Sequence, residues 1–213
     1  IMVKLKHKTL LIAAILLIPL NASASENFQA WLQTLRHDAV RYGISEQLVD
    51  KALPDSLAPN ETILRLDQKQ PEGGIPFERY KKKVLRAERV RDGRENMQRY
   101  KSLLNRVSNA YGVESQYIVA LWGIETSFGK NIGGFETIPA LVTLAYDGRR
   151  GDFFREELLK ALKIVDQGNV SLHQMKGSWA GAMGQCQFMP TSYQDFAQDY
   201  DKDGKKDIWN SRA

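Results

Sequence analysis

Cysteine is almost absent from this chain of 213 residues, which contains only Cys186. A single thiol excludes an internal disulfide framework and a metal site built from several cysteines. Long apolar runs are also scarce: one occurs, Thr9–Leu20, so a protein with several membrane spans is excluded. The glycines and prolines follow no period, which excludes a collagen-like or low-complexity chain. With 43% hydrophobic and 26% charged residues, the composition is that of a folded globular protein.

The N-terminal segment has the features of an export signal. Three lysines precede the apolar run Thr9–Leu20, and Ala22-Ser23-Ala24 then has the small-x-small pattern of a cleavage site. The alternative is a membrane anchor, which needs about 20 apolar residues and is therefore disfavoured by this shorter run. We predict that residues 1–24 are a signal peptide and are removed on export.

The positive charge of the chain is concentrated in that predicted signal. Lys4, Lys6 and Lys8 account for three of the five excess positive charges. The remaining excess is too small to indicate an electrostatic surface for nucleic acid, so no nucleic-acid partner is predicted.

Helical patterns dominate the rest of the chain. Residues 26–53 have helical periodicity, and residues 54–77 hold four prolines and predict a connector with a short strand at Thr62–Leu66. From Glu78 onward, apolar residues recur at steps of three and four and predict a helix that ends at Gly112; they are Met97, Tyr100, Leu104, Val107 and Tyr111. A further helix is predicted after Asp152. Because strands and helices do not alternate, the fold class is predicted to be mainly α.

Glu125 interrupts an apolar pattern on a predicted helix. It lies at helical spacing from Ile118, Leu121 and Phe128, so the four residues are expected to share one face. A carboxyl group on a buried apolar stripe loses hydration, which favours its protonated form. Gly123 and the glycines after Phe128 favour a cleft wall over a packed core at this face. A protonated carboxylic acid can act as the general acid in glycosidic bond cleavage. The alternatives are a buried glutamate paired with a basic residue, or a helix end turned toward solvent.

A second segment, Gly177–Pro190, combines glycines with polar and aromatic residues. Small residues allow the backbone to approach a ligand closely. Ser178 and Gln187 offer hydrogen bonds of the kind that a sugar requires, and Trp179 could stack on a pyranose ring. The alternative is a tight turn packed on the core. The pattern favours a carbohydrate-binding loop.

The segment from residue 199 onward resembles a calcium-binding loop of the EF-hand type. Acidic residues occupy positions 1, 3, 5 and 9 of the loop, namely Asp199, Asp201, Asp203 and Asp207. Glycine occupies position 6, and Lys205 at position 7 would contribute its carbonyl. Position 12 is Asn210, where the usual loop has a bidentate glutamate. We predict a weak structural calcium site, the alternative being a polar turn neutralised by its own lysines.

Two of these segments together resemble one family of enzymes. The segments Ile124–Lys130 and Gly177–Pro190, followed by Asp203-Gly204 and Trp209, are similar to the lytic murein transglycosylase B family, and the resemblance runs from about Phe77 to the last residue. It implies a lysozyme-like helical core, a periplasmic location, peptidoglycan glycan strands as substrate and no cofactor for the chemistry. It also implies that the single catalytic acid is Glu125.

The resemblance assigns further residues one at a time. Tyr80, Arg149, Arg150, Ser178 and Gln187 match positions that line the substrate cleft in this family. For the arginine pair, the alternative is a solvated charge pair. The chain is expected to be a monomer that could join complexes of cell-wall enzymes.

The motifs and the resemblance together predict four parts of the chain. They are a signal peptide (1–24), an N-terminal helical segment with a connector (25–77), a lysozyme-like core (78–198) and an incomplete EF-hand-like loop (199–213). Members of the family continue past this loop, so the resemblance also predicts a shortened chain.

Three functional hypotheses remain open at this stage. The leading one is a lytic transglycosylase in which Glu125 acts as acid and then base, and in which the C6 hydroxyl of the substrate replaces water as nucleophile. The second is a lysozyme-like hydrolase, because Glu136, Asp147 and Asp152 are candidate second carboxylates. The third is a non-catalytic protein that binds peptidoglycan.

Overall fold

The computed structural model describes residues 20–69 and 75–211, with side chains from residue 27 onward. Helices form most of this part of the chain, and the predicted mainly α class with a lysozyme-like core is confirmed. The helices are α1 Leu20–Arg41, α2 Glu46–Ala52, α3 Glu61–Gln68, α4 Phe77–Val84, α5 Ala87–Arg99, α6 Lys101–Tyr111, α7 Ser115–Thr126, α8 Thr137–Asp147, α9 Gly151–Asp166 and α10 Pro190–Phe196. Residues 1–19 of the predicted signal peptide lie outside the described residues.

The strand predicted at Thr62–Leu66 is wrong, because these residues belong to helix α3. Asn60 starts this helix, since its side-chain oxygen accepts hydrogen bonds from the N–H groups of Thr62 and Ile63 at 2.9 and 3.3 Å. Such a cap satisfies backbone donors that have no partner inside the helix. Ile63 is buried in the core, so the apolar residues of this segment serve a helix face and not a strand.

The single helix predicted to end at Gly112 is two helices, α5 and α6, which meet at Tyr100. Tyr100 leaves the helical backbone conformation, with φ −104° and ψ 17°, and its ring contacts Trp122 edge-on at 5.8 Å between centroids. The predicted end of the pattern is confirmed, because Gly112 terminates α6 with φ +68°, a conformation that glycine adopts without a side-chain clash.

The larger of the two hydrophobic cores found in the described residues joins helix α1 to the second half of the chain. Helix α8 is at its centre and is buried at eight of its eleven positions. Helices α1, α2 and α3 pack into the same core as α8 and α9, with Phe28, Leu35, Leu141 and Leu158 among the buried residues. Residues on both sides of the predicted boundary after residue 77 therefore share one core. The domain boundaries remain a prediction.

A smaller core lies between α5, α6 and α7. Leu104, Val119 and Phe128 are buried there, with Met97 and Trp122 packed against them. A short antiparallel pair, β1 Phe135–Glu136 and β2 Lys176–Gly177, connects the residues that follow α7 to the glycine-rich segment. None of the helices in the described ranges is long and apolar enough to cross a membrane.

Candidate active site

A cleft of about 550 Å³ lies beside Glu125, between helix α7 and the C-terminal segment. Aromatic, aliphatic and amide side chains line it, a mixture suited to a sugar chain, which presents both apolar ring faces and hydroxyl groups. The lining residues are Tyr100, Leu103, Leu104, Ile118, Leu121, Trp122, Glu125, Gln185, Cys186, Phe188, Gln198, Asp207, Ile208 and Ser211. We call this space the Glu125 cleft.

The apolar face of α7 that contains Glu125 is open to the cleft. Leu121 is 61% exposed and Glu125 is exposed as well, whereas Phe128 is buried. The expected burial of the apolar stripe is therefore wrong at Leu121 and Glu125. The buried face of α7 instead consists of Val119, Gly123 and Thr126. Because both faces of this helix are rich in apolar residues, periodicity could not distinguish the cleft wall from the core.

The backbone is strained directly after Glu125. Ser127, Phe128 and Gly129 all have positive φ angles, of 52°, 64° and 78°. This turn folds Phe128 back beneath the helix, where a Cβ on Gly123 would lie 2.6 Å from the Phe128 ring. Non-glycine residues in this conformation cost about 1–2 kcal/mol each and are concentrated at functional sites. The local fold thus fixes the end of α7 in one unusual shape beside the carboxyl group.

A second carboxylate, Asp207, also lines the Glu125 cleft. Its Oδ1 accepts hydrogen bonds from the N–H groups of Trp209 and Asn210, both at 2.9 Å, so it caps the turn that follows. The three candidate second acids from the sequence, Glu136, Asp147 and Asp152, do not line this cleft in the described structure. The position of Asp207 in the cleft differs from the predicted one, which placed it only in the calcium loop.

Cys186 places a thiol in the lining of the Glu125 cleft. Burial raises the pKa of its thiol to about 11, and the Glu125 carboxylate adds a smaller contribution in the same direction. The thiol therefore stays protonated at neutral pH, which does not suit a nucleophile.

Ser178 and Gln187 hold the glycine-rich segment together. The Ser178 hydroxyl accepts hydrogen bonds from the N–H groups of Ala180 and Ala182, at 3.3 and 3.1 Å. The Gln187 side chain donates to the carbonyls of Ile132 and Gly184, at 3.1 and 2.9 Å. Neither residue is in the lining of the Glu125 cleft. Their assignment to substrate binding stays a prediction.

Arg149 and Arg150 line a different cleft, of about 690 Å³, at the turn between α8 and α9. Arg149 forms a two-point ion pair with the buried carboxylate of Asp67, with N···O distances of 2.9 and 2.6 Å. Arg150 lies over the ring of Phe153, 4.3 Å from its centroid. Arg149 is thus held by a carboxylate and Arg150 by an aromatic ring. A substrate role for either arginine stays a prediction.

Tyr80 projects from α4, a helix without a buried residue, and half of its surface is exposed. It is absent from the lining of the Glu125 cleft as described. Its predicted contact with substrate is untested.

The predicted calcium loop brings its first three carboxylates together. One oxygen from each of Asp199, Asp201 and Asp203 lies within 4.8 Å of the others. The Asp199 carboxylate accepts hydrogen bonds from the N–H groups of Asp203 and Gly204, which shapes the loop around it. Hard oxygen ligands at this spacing fit Ca²⁺. The fourth acidic residue, Asp207, points its carboxylate to the following turn.

Most of the chain matches one known protein family. The profile of the family described as "Transglycosylase SLT domain" matches residues 27–213, most of the chain. The chain belongs to the SLT transglycosylase family. Membrane-bound lytic murein transglycosylase B of Escherichia coli (strain K12) is 30% identical over 179 residues, which is 80% of this chain and 50% of that protein. The chain thus spans about half the length of this relative.

Solved SLT transglycosylase structures match the fold closely. SltB3 from Pseudomonas aeruginosa, in complex with NAG-anhNAM-pentapeptide, gives a TM-score of 0.83 at 40% identity and covers 86% of this chain and 49% of its own. The E. coli lytic transglycosylase Slt35 in complex with calcium gives 0.74 at 33% identity, covering 84% of this chain and 57% of its own. The predicted family resemblance is confirmed.

Proposed function

We propose that this chain is a lytic transglycosylase that cleaves the β-1,4 bond between N-acetylmuramic acid and N-acetylglucosamine in peptidoglycan. The observation that carries the proposal is the position of Glu125, an exposed carboxyl group in a cleft beside a strained helix end, in a chain of the SLT transglycosylase family. A relative whose structure contains NAG-anhNAM-pentapeptide supports the class of product.

Glu125 acts first as acid and then as base. Its proton passes to the glycosidic oxygen as the bond from that oxygen to C1 of the muramic acid breaks. The C6 hydroxyl of the same sugar attacks C1 and returns its proton to Glu125, so the product is a 1,6-anhydro sugar and no water is consumed. One carboxyl group is sufficient because the nucleophile belongs to the substrate and is already held near C1.

The surroundings of Asp207 favour this reaction over hydrolysis. A hydrolase of the usual type places two carboxylates around the bond. Among the described residues, the second carboxylate of the Glu125 cleft is Asp207, and its oxygen is already bound by two backbone N–H groups. A carboxylate engaged in this way is poorly placed to activate water.

The substrate contacts in this proposal extend beyond the Glu125 cleft. Arg149 and Arg150 give the α8–α9 cleft a basic wall with aromatic neighbours, which suits an anionic part of peptidoglycan. Tyr80, Ser178 and Gln187 complete the proposed contacts. The Ser178 and Gln187 side chains act here by shaping the glycine-rich segment, whose hydrogen bonds they provide.

The location of the protein follows from its substrate. Export through the signal peptide 1–24 would deliver the chain to the periplasm, where peptidoglycan is found. Its partners are then glycan strands, with complexes of other cell-wall enzymes as a further option and a monomer as the active unit. No cofactor takes part in the chemistry.

A structural calcium ion is also proposed, at the loop that begins with Asp199. The three converging carboxylates and the carbonyl of Lys205 would hold it. A calcium complex of the relative Slt35 supports this. The ion would stabilise the loop and is not assigned a step in the reaction.

The mass of the released product tests the reaction. The chain should be incubated with purified sacculi, and the soluble muropeptides should be analysed by mass spectrometry. The proposal predicts muropeptides lighter by one water than those from lysozyme digestion. Muropeptides of the hydrated mass would indicate a hydrolase, and binding to sacculi without soluble products would indicate a binding protein.

A further inference from the structure

Gln185 is a buried glutamine at the base of the Glu125 cleft, with 6% of its surface exposed. Both ends of its amide are engaged. The side-chain oxygen accepts a hydrogen bond from Nε1 of Trp122 at 2.9 Å. The side-chain nitrogen donates to the carbonyls of Trp209 and Ser211, at 3.0 and 3.2 Å. Because a buried amide without partners is costly, these bonds fix its orientation.

The backbone of Gln185 repeats the same pattern. Its N–H donates to the carbonyl of Ile208 at 2.8 Å. Its carbonyl accepts from the buried hydroxyl of Thr126 at 2.9 Å. One residue therefore binds both walls of the cleft, namely helix α7 through Trp122 and Thr126, and the segment 208–211 on the opposite side.

The Gln185 side chain packs against Gly129, where a larger residue would not fit. A Cβ on Gly129 would lie 2.4 Å from the Gln185 side-chain oxygen, closer than real Cβ contacts. Gly129 belongs to the strained turn after Glu125, and its N–H is bound by Thr126. The amide thus packs directly against the turn that ends the Glu125 helix.

We propose that Gln185 is a positioning residue that fixes the two walls of the Glu125 cleft relative to each other. It does not touch the reacting atoms in this scheme. It acts through Trp122 and Thr126, which hold the last turn of α7, and through the segment 208–211. The effect on turnover rests on the proposed function, whereas the effect on the two walls does not.

The variant Gln185→Met tests this proposal, because methionine fills a similar volume without a hydrogen-bonding amide. Hydrogen exchange followed by mass spectrometry should show faster exchange, by about tenfold or more, in peptides covering both 120–129 and 207–211. Peptides from α8 and α9 should be unchanged. In turnover assays well below the melting temperature, kcat should fall about 10- to 100-fold with KM within threefold, as expected for a small displacement of the reacting groups.

A control variant, Gln194→Met, makes the same chemical change on α10, where the side chain has no hydrogen bond to the described residues. It should leave exchange and turnover as in the parent chain.

A second variant separates the two sides of the amide. In Gln185→Glu, an ionised carboxylate can still accept from Trp122 Nε1 but cannot donate to the carbonyls of Trp209 and Ser211. We expect the Trp122 indole N–H resonance to stay near its parent position, while exchange in 207–211 accelerates. In Gln185→Met, that indole resonance should move as its hydrogen bond is lost.

Several results would overturn the proposal. Faster exchange in one wall alone, or in neither, would show that Gln185 does not couple the two. A second such result is a Gln185→Met variant that is folded and has lost the Trp122 hydrogen bond, as its shifted indole resonance would show, but keeps the parent kcat. In that case Gln185 would contribute to packing and not to positioning. If the parent chain released no muropeptides, the proposed function would fail, and the exchange measurements would still decide the role of Gln185.

Discussion

Glu125 and Cys186 line the same cleft, but they differ in their ability to react with a substrate. The thiol pKa is raised to about 11, first by burial and then by the Glu125 carboxylate. Glu125 itself is exposed in the cleft, so a substrate can reach it. Of these two groups, Glu125 is therefore the one that the proposed reaction can use.

The rate of Cys186 alkylation should report its protonation. Because the raised pKa leaves little thiolate at pH 8, iodoacetamide should react with the folded chain roughly 100-fold more slowly than with the urea-unfolded chain. The difference should narrow as the pH approaches 11. Mass spectrometry measures this cleanly, since the chain contains one cysteine. Equal rates at pH 8 would contradict the assignment.

The sequence could identify Glu125 as a candidate but not its surroundings. Its apolar neighbours were expected to be buried, yet Leu121 is exposed because α7 carries apolar residues on two faces. Likewise, the ion pair between Arg149 and Asp67 joins residues 82 positions apart. Spacing along one helix cannot predict such contacts, which depend on how α3 and α8 pack.

At the scale of elements, the turn that ends α7 determines the shape of the site. The positive φ angles of Ser127 and Phe128 store strain, and Gly129 completes the turn where no side chain fits. The Thr126 hydroxyl holds this turn against the glycine-rich segment, because it accepts a hydrogen bond from the Gly129 N–H and donates one to the Gln185 carbonyl. The element that carries the carboxyl group is thus built to be rigid.

Replacement of Gly129 should reveal this close packing. Gly129→Ala should destabilise the chain by about 2–5 kcal/mol, because left-handed strain of about 1–2 kcal/mol adds to overpacking of about 1–3 kcal/mol against Gln185. Gly112→Ala is a matched control, since its φ is also positive but nothing lies within 4 Å of its Cβ. It should cost about 1–2 kcal/mol in urea denaturation. Equal losses in the two variants would contradict the contact.

Helix α8 shows why some elements escaped prediction. It is buried on nearly every side, so it lacks the alternation of apolar and polar residues from which a helix is recognised. The strand prediction at Thr62–Leu66 failed for another reason. Its β-branched residues favour a strand, but the Asn60 cap and the burial of Ile63 in the core stabilise a helix instead. The helix end at Gly112 was predictable, because its positive φ angle depends on local chemistry.

At the scale of the whole molecule, the cleft lies between two parts with separate cores. Helices α5, α6 and α7 form one wall around the smaller core. Gln185, Cys186 and Phe188 of the glycine-rich segment form the other wall with Ile208, and the neighbouring Trp209 belongs to the larger core. The proposed calcium loop directly precedes that second wall, so calcium binding there would bear on the stability of the chain.

Calcium should raise the melting temperature modestly. For a dissociation constant near 1 mM, 10 mM calcium would stabilise the fold by about 1.4 kcal/mol, or roughly 3–6 °C. Asp201→Asn should remove most of this rise, whereas Asp195→Asn, outside the loop, should retain it. Differential scanning calorimetry provides the measurement. A melting temperature that stops rising at micromolar calcium would show that the loop binds calcium tightly without the usual glutamate at position 12. An unchanged melting temperature at 10 mM calcium would exclude the site.

The central claim is that Glu125 alone supplies acid and base, and Glu125→Gln tests it most directly. Glutamine keeps the size of the side chain but cannot transfer a proton, so release of muropeptides from sacculi should fall by at least about 10²–10⁴-fold, while binding to sacculi persists. The matched control is Glu136→Gln, which changes an exposed glutamate outside the cleft and should retain the parent rate within about threefold. A Glu125→Gln rate within tenfold of the parent would contradict the account and assign the acid to another carboxyl group.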